Sequence, residues 1–327
     1  MAFRNGACRV APTPKITSDG GGDRETTELL FVPRRCFLQA VSPATELTCG
    51  QRSDFSVRGI IQVMVTLIGV PWDASSSYER GAAEAPPRIR AALTSPSSNS
   101  FNERGDDLSS PELLADVGDL VLPDDPAAMR EAIERGVRAI VERGDKPLVL
   151  GGDHSITYPV LRAFPRQPLT VLHFDAHGDI YDSYEGDRYS HACPFARIME
   201  ERLATRLIQV GLRTLTPHQR AQIAAFKTEV YGAEQWRGVI PIVAQLRGPV
   251  YVSLDIDVLE PMLAPGISHP EPGGLTVRDV LEVLGALQTD VVGADVVEYN
   301  PRNDVRDLTA RVAAKFVKEL LGVMHGG

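Results

Sequence analysis

Two carboxylates and an imidazole alternate in Asp175-Ala176-His177-Gly178-Asp179, directly after the apolar run "LTVLHF". Two more carboxylates, Asp255 and Asp257, follow a second apolar run in "YVSLDIDVLEP", and "LVLGGDHS" presents Asp153 and His154 in the same way. A fourth run, in "VVEYNP", ends in Glu298. In extended chain, residues two apart point to the same side, so Asp-x-His-x-Asp and Asp-x-Asp each send their polar groups in one direction. Carboxylates massed in one place repel each other and lose hydration unless a cation compensates them. His154, Asp175, His177, Asp179, Asp255 and Asp257 supply enough ligand atoms for two divalent metals if some carboxylates bridge. Oxygen predominates and thiolate is missing from this set. That favours Mn(II), with Fe(II), Co(II) or Zn(II) as substitutes, over a structural zinc. Two metals about 3.5–4 Å apart can share a water and lower its pKa, which makes hydrolysis the natural use. Taken singly, each motif has a plainer reading: Asp-x-Asp is commonly a loop or cap, and "GGDHS" suits a turn with Ser155 as a helix N-cap. Recurrence at successive strand ends favours metal.

The elements that must position these groups are legible as periodicity. Short apolar runs occur at "VTLIGV", "PLVLGG", "LTVLHF", "RLIQVGL", "PVYVSLD" and "DVVGADVVE", each reading as a buried strand. Between them lie helical patterns, such as "PAAMREAIERGVRAIVERG" with Met129, Ile133, Val137 and Ile140 on one face. "RDLTARVAAKFVKELLG" closes the chain with an apolar stripe through Leu308, Val312, Phe316 and Leu320, which suits core packing as well as an interface. Near-continuous Val/Ile/Leu strands alternating with helices predict an α/β fold with a parallel sheet covered on both faces. In such sheets ligands bind outside the carboxyl ends of the strands, which is where the four motifs fall. Residues 95–112 read as a polar loop within this domain.

Composition bounds the rest. The 327 residues are 43% hydrophobic and 24% charged, ordinary for a globular protein, with a net charge of −9. An acidic chain argues against non-specific nucleic-acid binding, which needs a basic face, and suits a small cationic substrate. Cys8, Cys36, Cys49 and Cys193 form no C-x-x-C pair and read as free thiols. No apolar stretch reaches the roughly 18–20 residues of a membrane span, and the N-terminus lacks the apolar core of a secretory signal. A cytoplasmic location is the expectation. Residues 1–62 mix Gly, Pro, Ser, Thr and charges with short apolar patches and read as a disordered extension, with one domain over 63–327. Met64, inside the first strand, is a candidate natural start.

"GGDHS", "DAHGD" and "SLDIDVLEP", in this order, resemble the signature motifs of the ureohydrolases, the arginase and agmatinase family. The resemblance covers about Thr66 to the C-terminus. It implies a three-layer α/β/α fold with a central, mostly parallel sheet, Mn2+ (two per subunit), and a homo-oligomer, trimeric or hexameric. By the same resemblance His154 and Asp179 complete one metal site, His177 and Asp257 the other, with Asp175 and Asp255 bridging. Attack of metal-activated water on a guanidinium carbon then gives urea and an amine. Glu298 matches the glutamate that binds the guanidinium, as a carboxylate accepting paired hydrogen bonds can. His191, in "YSHACPFARIME", matches a histidine that passes a proton to the leaving amine, work suited to its near-neutral pKa. Asp153 is expected to brace the turn beside His154.

The substrate is less sharply marked. Tyr181 stands where animal-type arginases carry an asparagine that helps hold the α-carboxylate, and "APGISHPEPGGLT" looks more like agmatinases. "DIYDSYEGDRYSHACPFARIME" and "GADVVEYNP" resemble the plant arginase branch instead. The reading taken is agmatinase, agmatine to putrescine and urea. The alternative is arginase, L-arginine to L-ornithine and urea, or another guanidino-acid ureohydrolase. Between Ile180 and Ser190, inward acids among Asp182, Glu185 and Asp187 would suit a free amine, and an inward Arg188 a carboxylate. A non-catalytic metal-binding scaffold and a single-zinc deacetylase-like amide hydrolase are further classes. The full set of six ligands with His191 and Glu298 argues against both.

Overall fold

The six apolar runs fold as six strands, and two more strands flank them. In a computed structural model, which describes residues 63–326, the order is β1 (Val65–Gly69), α1 (Ala85–Leu93), β2 (Leu114–Asp119), α2 (Pro126–Val141), β3 (Lys146–Leu150) and α3 (Thr157–Arg162). There follow β4 (Thr170–Phe174), α4 (Pro194–Glu200), β5 (Arg206–Val210), α5 (Pro217–Phe226), β6 (Glu229–Tyr231) and α6 (Ile240–Val243). The chain ends with β7 (Val250–Asp255), α7 (Val277–Gly285), β8 (Val291–Val297) and α8 (Leu308–His325). The expected extension over residues 1–62 lies outside the described residues, as do Cys8, Cys36 and Cys49; Cys193 is a buried free thiol.

All eight strands pair in parallel, in the order β2-β1-β3-β8-β7-β4-β5-β6. Period-two alternation feeds two cores. Leu148, Leu150, Leu172, Phe174, Val252 and Leu254 pack to one side with α1, α6, α7 and α8. Val149, Val171 and Tyr251 pack to the other, with α2, α3, α4 and part of α5. The fold is therefore the expected three-layer α/β/α sandwich. In α2, Asp125 caps the first turn by accepting from Ala128 N at 2.8 Å, Pro126 occupies the first helical position, and Met129, Ile133, Val137 and Ile140 are buried. Each of these four contributes about 1.5–3 kcal/mol relative to exposure. Along α8, Phe316 and Leu320 are buried against the sheet while Leu308 is exposed, so core packing accounts for most of the stripe.

The four middle strands, β3, β8, β7 and β4, are the ones whose carboxyl ends carry the polar motifs. Gly152 makes the first of these ends possible: a Cβ there would collide with the carbonyl oxygen of Trp72. The close approach lets Asp153 N donate to Trp72 O at 2.8 Å, while Asp153 Oδ2 accepts from Ser75 N at 2.9 Å. Asp153, not Ser155, caps the short 3-10 turn His154–Ile156.

Candidate active site

Alternation in extended chain is not what gathers the ligands. Asp175 is one step past β4, and the chain turns at Asp179, whose φ of 45° is left-handed. Asp255 ends β7 and Asp257 lies in a 3-10 turn, Ile256–Val258, which Asp255 caps by accepting from Asp257 N at 2.8 Å. These turns divide each motif between two clusters. His154, Asp175, Asp179 and Asp255 form one fully buried group; Asp175, His177 and Asp257 form the other. Asp175 belongs to both, whereas Asp255 joins only the first.

His154 fixes the character of the first group. Its Nδ1 is buried and, among the described residues, accepts or donates no hydrogen bond. Three carboxylate oxygens nevertheless converge on it, from Asp179 at 3.1 Å, Asp255 at 3.2 Å and Asp175 at 3.3 Å. Its other nitrogen, Nε2, lies 2.9 Å from Ser253 Oγ, and Ser253 in turn donates to Asp295 Oδ1 at 2.7 Å. With the Ser253 proton committed to Asp295, its oxygen accepts from His154 Nε2–H, and the Nδ1 lone pair is left facing the three carboxylates. A parallel relay braces Asp175: Gln209 Nε2 donates to His173 Nδ1 at 3.0 Å, and His173 Nε2 donates to Asp175 Oδ2 at 2.8 Å.

In the second group His177 Nδ1 lies 2.9 Å from Asp257 Oδ2, while Asp257 Oδ1 accepts from Ala176 N at 3.0 Å. Burial, together with the charges of Asp257 and Asp175, pushes Asp255 well above the usual carboxylate range. Burial and Asp175 push Asp257 up to about 6, against the pull of His177. Divalent cations among these oxygens would reverse that repulsion. An orphaned imidazole nitrogen facing three carboxylates, in a set without sulfur, fits hard divalent metals.

Beside these groups stands a second constellation. Glu298, the first residue past β8, also has a left-handed φ, 62°, and is buried. Its Oε1 accepts from His154 N at 2.8 Å and lies 3.2 Å from His191 Nδ1, while His191 Nε2 is 2.9 Å from Ser77 Oγ. Burial opposes charge on His191, yet Glu298 lifts it to about 9. Reciprocally, Glu298 is held below its ordinary value despite burial. Both groups and Glu298 open onto one cavity of about 580 Å³. It has the dimensions of a small-molecule site.

A sequence model of the Arginase family matches residues 63–322. The chain belongs to the arginase family. It is 46% identical over 278 residues to "Arginase 1, mitochondrial" of Arabidopsis thaliana, spanning 80% of this chain and 81% of that protein. It is 36% identical over 279 residues to "Agmatinase, mitochondrial" of Gallus gallus, spanning 79% of this chain and 80% of that one. The solved structure of the arginase from Medicago truncatula aligns with a TM-score of 0.78 and 44% identity, covering 81% of this chain and 89% of the other. This arginase-family protein is thus a ureohydrolase, a hydrolase acting on guanidino compounds.

Of the residues singled out in the ureohydrolase sequence, the six ligand candidates, His191 and Glu298 all converge on the cavity or its floor. The loop after Asp179 does not behave as either substrate reading expected. Arg188 pairs with Glu200 at 2.9 Å and Asp182 lies 3.1 Å from His218, and neither they nor Glu185 and Asp187 line the cavity. Sequence reasoning missed His269, whose ring is 4.9 Å from that of His191 and whose buried Nε2 has no partner among the described residues. The available signal was a histidine in the connection after β7, a strand end already carrying two candidate ligands. No helix among the described residues is long and apolar enough to cross a membrane.

Proposed function

We propose that this ureohydrolase is an arginase, hydrolysing L-arginine to L-ornithine and urea with manganese at two sites. The greater identity to the Arabidopsis arginase than to the chicken agmatinase carries this choice. It favours the alternative drawn from the sequence over agmatine. In this reading His154 and Asp179 would hold one ion and His177 and Asp257 the other, with Asp175 common to both clusters and Asp255, which joins the first, completing the set. Divalent ions held by these residues would supply Lewis acidity and lower the pKa of water at the cavity floor.

The remaining chemistry falls to the chain's own side chains. Glu298 presents a buried carboxylate to the guanidinium, and a planar cation with paired N–H groups is the natural partner for it. A guanidinium anchored there would share the cavity with residues of both ligand groups. His191 is held protonated near neutrality by Glu298. Arrival of the substrate's positive charge competes for that carboxylate, weakens the hold on the imidazolium proton and readies it for the departing amine. Ser77, at 2.9 Å from Nε2, orients the ring. A homo-oligomer and a cytoplasmic location belong to the same proposal, testable by light scattering and cell fractionation.

The deciding experiment measures urea release by manganese-loaded protein given L-arginine and agmatine side by side, with Asp255→Asn as control. Preference for arginine, lost in the variant, is the expected result. Preference for agmatine would return the protein to the agmatinase reading, and loss of neither activity in the variant would remove Asp255 from the metal site.

A further inference from the structure

The far end of the substrate meets a rim with a definite chemistry. Every acid lining the cavity, Asp179, Asp255, Asp257 and Glu298, is buried at the floor. The rim carries hydroxyls, from Tyr181, Tyr184, Thr214 and Thr216, and two arginines. Arg213 is fully engaged, donating to the carbonyls of Gly211, Asp257, Val258, Leu259 and Glu271 at 2.6–3.3 Å. Arg220 is not. It is exposed in α5, its backbone N–H donates to Thr216 O at 3.0 Å, and among the described residues its guanidinium makes no ion pair or hydrogen bond. Two of the rim hydroxyls are committed to each other: Tyr181 donates to Thr216 Oγ1 at 3.1 Å and stacks on His218 with ring centroids 5.5 Å apart.

We infer that Arg220 binds the α-carboxylate of the substrate and so selects guanidino acids over guanidino amines; the inference rests on the ureohydrolase reading of the same cavity. A guanidinium fork matches a carboxylate with two parallel N–H donors, which neither a hydroxyl nor a lysine reproduces. L-Arginine brings a carboxylate that answers this charge. Agmatine brings only an ammonium, which Arg220 repels, so the same residue rewards one substrate and penalises the other. A rim cation that makes no ion pair among the described residues is the arrangement that Arg188 would have supplied had it pointed inward.

The test compares wild type, R220Q, R220E and R220K, all metal-loaded, in kcat and KM for L-arginine, agmatine and 4-guanidinobutyrate, with thermal melts as a check on folding. Arg220→Gln is expected to raise KM for L-arginine roughly tenfold, more than it lowers kcat, the low end for a charge-assisted contact at an exposed rim. The arginine-to-agmatine ratio of kcat/KM falls by a similar factor, further in R220E, and R220K restores part of it. L-Ornithine binding, followed by calorimetry, weakens in step while putrescine binding does not. If wild type prefers arginine and R220Q leaves its KM unchanged, the inference falls and the arginase reading stands. If wild type prefers 4-guanidinobutyrate and R220Q raises its KM, the arginase reading falls and Arg220 stands. Preference for agmatine overturns both.

Discussion

Ser253→Ala tests the idea that the inner face of the site fixes the proton on His154. The serine does two jobs: its oxygen accepts from His154 Nε2 at 2.9 Å, and its hydroxyl donates to Asp295 at 2.7 Å. Asp295 keeps two other donors, Thr157 Oγ1 and Tyr251 OH, each at 2.8 Å, so the buried carboxylate is not stranded by the change. Among the described residues His154 Nε2 has no hydrogen-bond partner besides Ser253 Oγ, and its ring is completely buried. Leaving a buried N–H unsatisfied costs about 1–3 kcal/mol, and outer partners of ligating histidines typically set 10–100-fold in metal affinity. The freed tautomer also allows Nδ1 to carry the proton, which would turn a ligand atom into a donor facing three carboxylates. The expected outcome is manganese binding weaker by about 10–100-fold, measured by calorimetry or chelator competition. The metal-free protein should melt about 2–12 °C lower, at roughly 2–4 °C per kcal/mol for a domain of this size. Wild-type affinity at both sites in a folded S253A protein would refute the relay.

Three other outcomes are expected. Glu298→Gln keeps an acceptor for His154 N but removes the charge that faces the guanidinium. It should cost about 2–5 kcal/mol of transition-state binding, at least roughly 30-fold in kcat/KM, with metal content unchanged by elemental analysis. His191→Asn should lower kcat by about 10²–10⁴-fold. Because His191 is lifted to about 9 and works protonated, wild-type kcat/KM should decline as pH rises through that region, and the variant should lack this limb. Asp304→Asn probes stability at the start of α8, where the carboxylate accepts from Thr309 N at 2.9 Å, Ala310 N at 3.0 Å and Tyr299 OH at 2.8 Å. Burial works against that carboxylate, but the two N–H groups hold it below the ordinary range. Its contribution is therefore present above the unfolded value of about 3.9 and disappears as pH falls through the lower folded value. The variant should lose about 1–2 kcal/mol at pH 7 and progressively less as pH falls below about 3.9, so a deficit in thermal melts that stays constant down the acid range would sink the assignment.

Six strands were legible because each is a near-continuous run of Val, Ile and Leu buried on both faces. β2 and β6 were not. β2 sits at one edge, half exposed, with Asp116, Gly118 and Asp119 diluting its pattern; β6 is three residues long at the other edge. The convergence of the candidate ligands was legible because strand ends converge in any parallel sheet, even though the local geometry supposed for them was wrong. Asp179 and Asp257 arrive through a left-handed residue and a 3-10 turn, neither of which alternation describes. His269 and Arg220 were invisible for another reason. Their nearness depends on how connections fold over the sheet, such as the bridge between Ile267 and Tyr299 that brings the His269 segment to β8. The orientation of Arg188 was equally a matter of tertiary pairing, decided by Glu200.

Strand order gives the site a temporal dimension. The last strand in the chain, β8, is inserted between β3 and β7, so Glu298 meets His154 across 144 residues of sequence. Until those final residues are in place, β3 and β7 have no ladder between them, and the two halves of the ligand set are held apart. A nascent or truncated chain can bury much of its apolar surface and still own no complete metal site. Under the proposed manganese reading, metal uptake would be a readout of finished folding, and full affinity would certify that the whole sheet has closed.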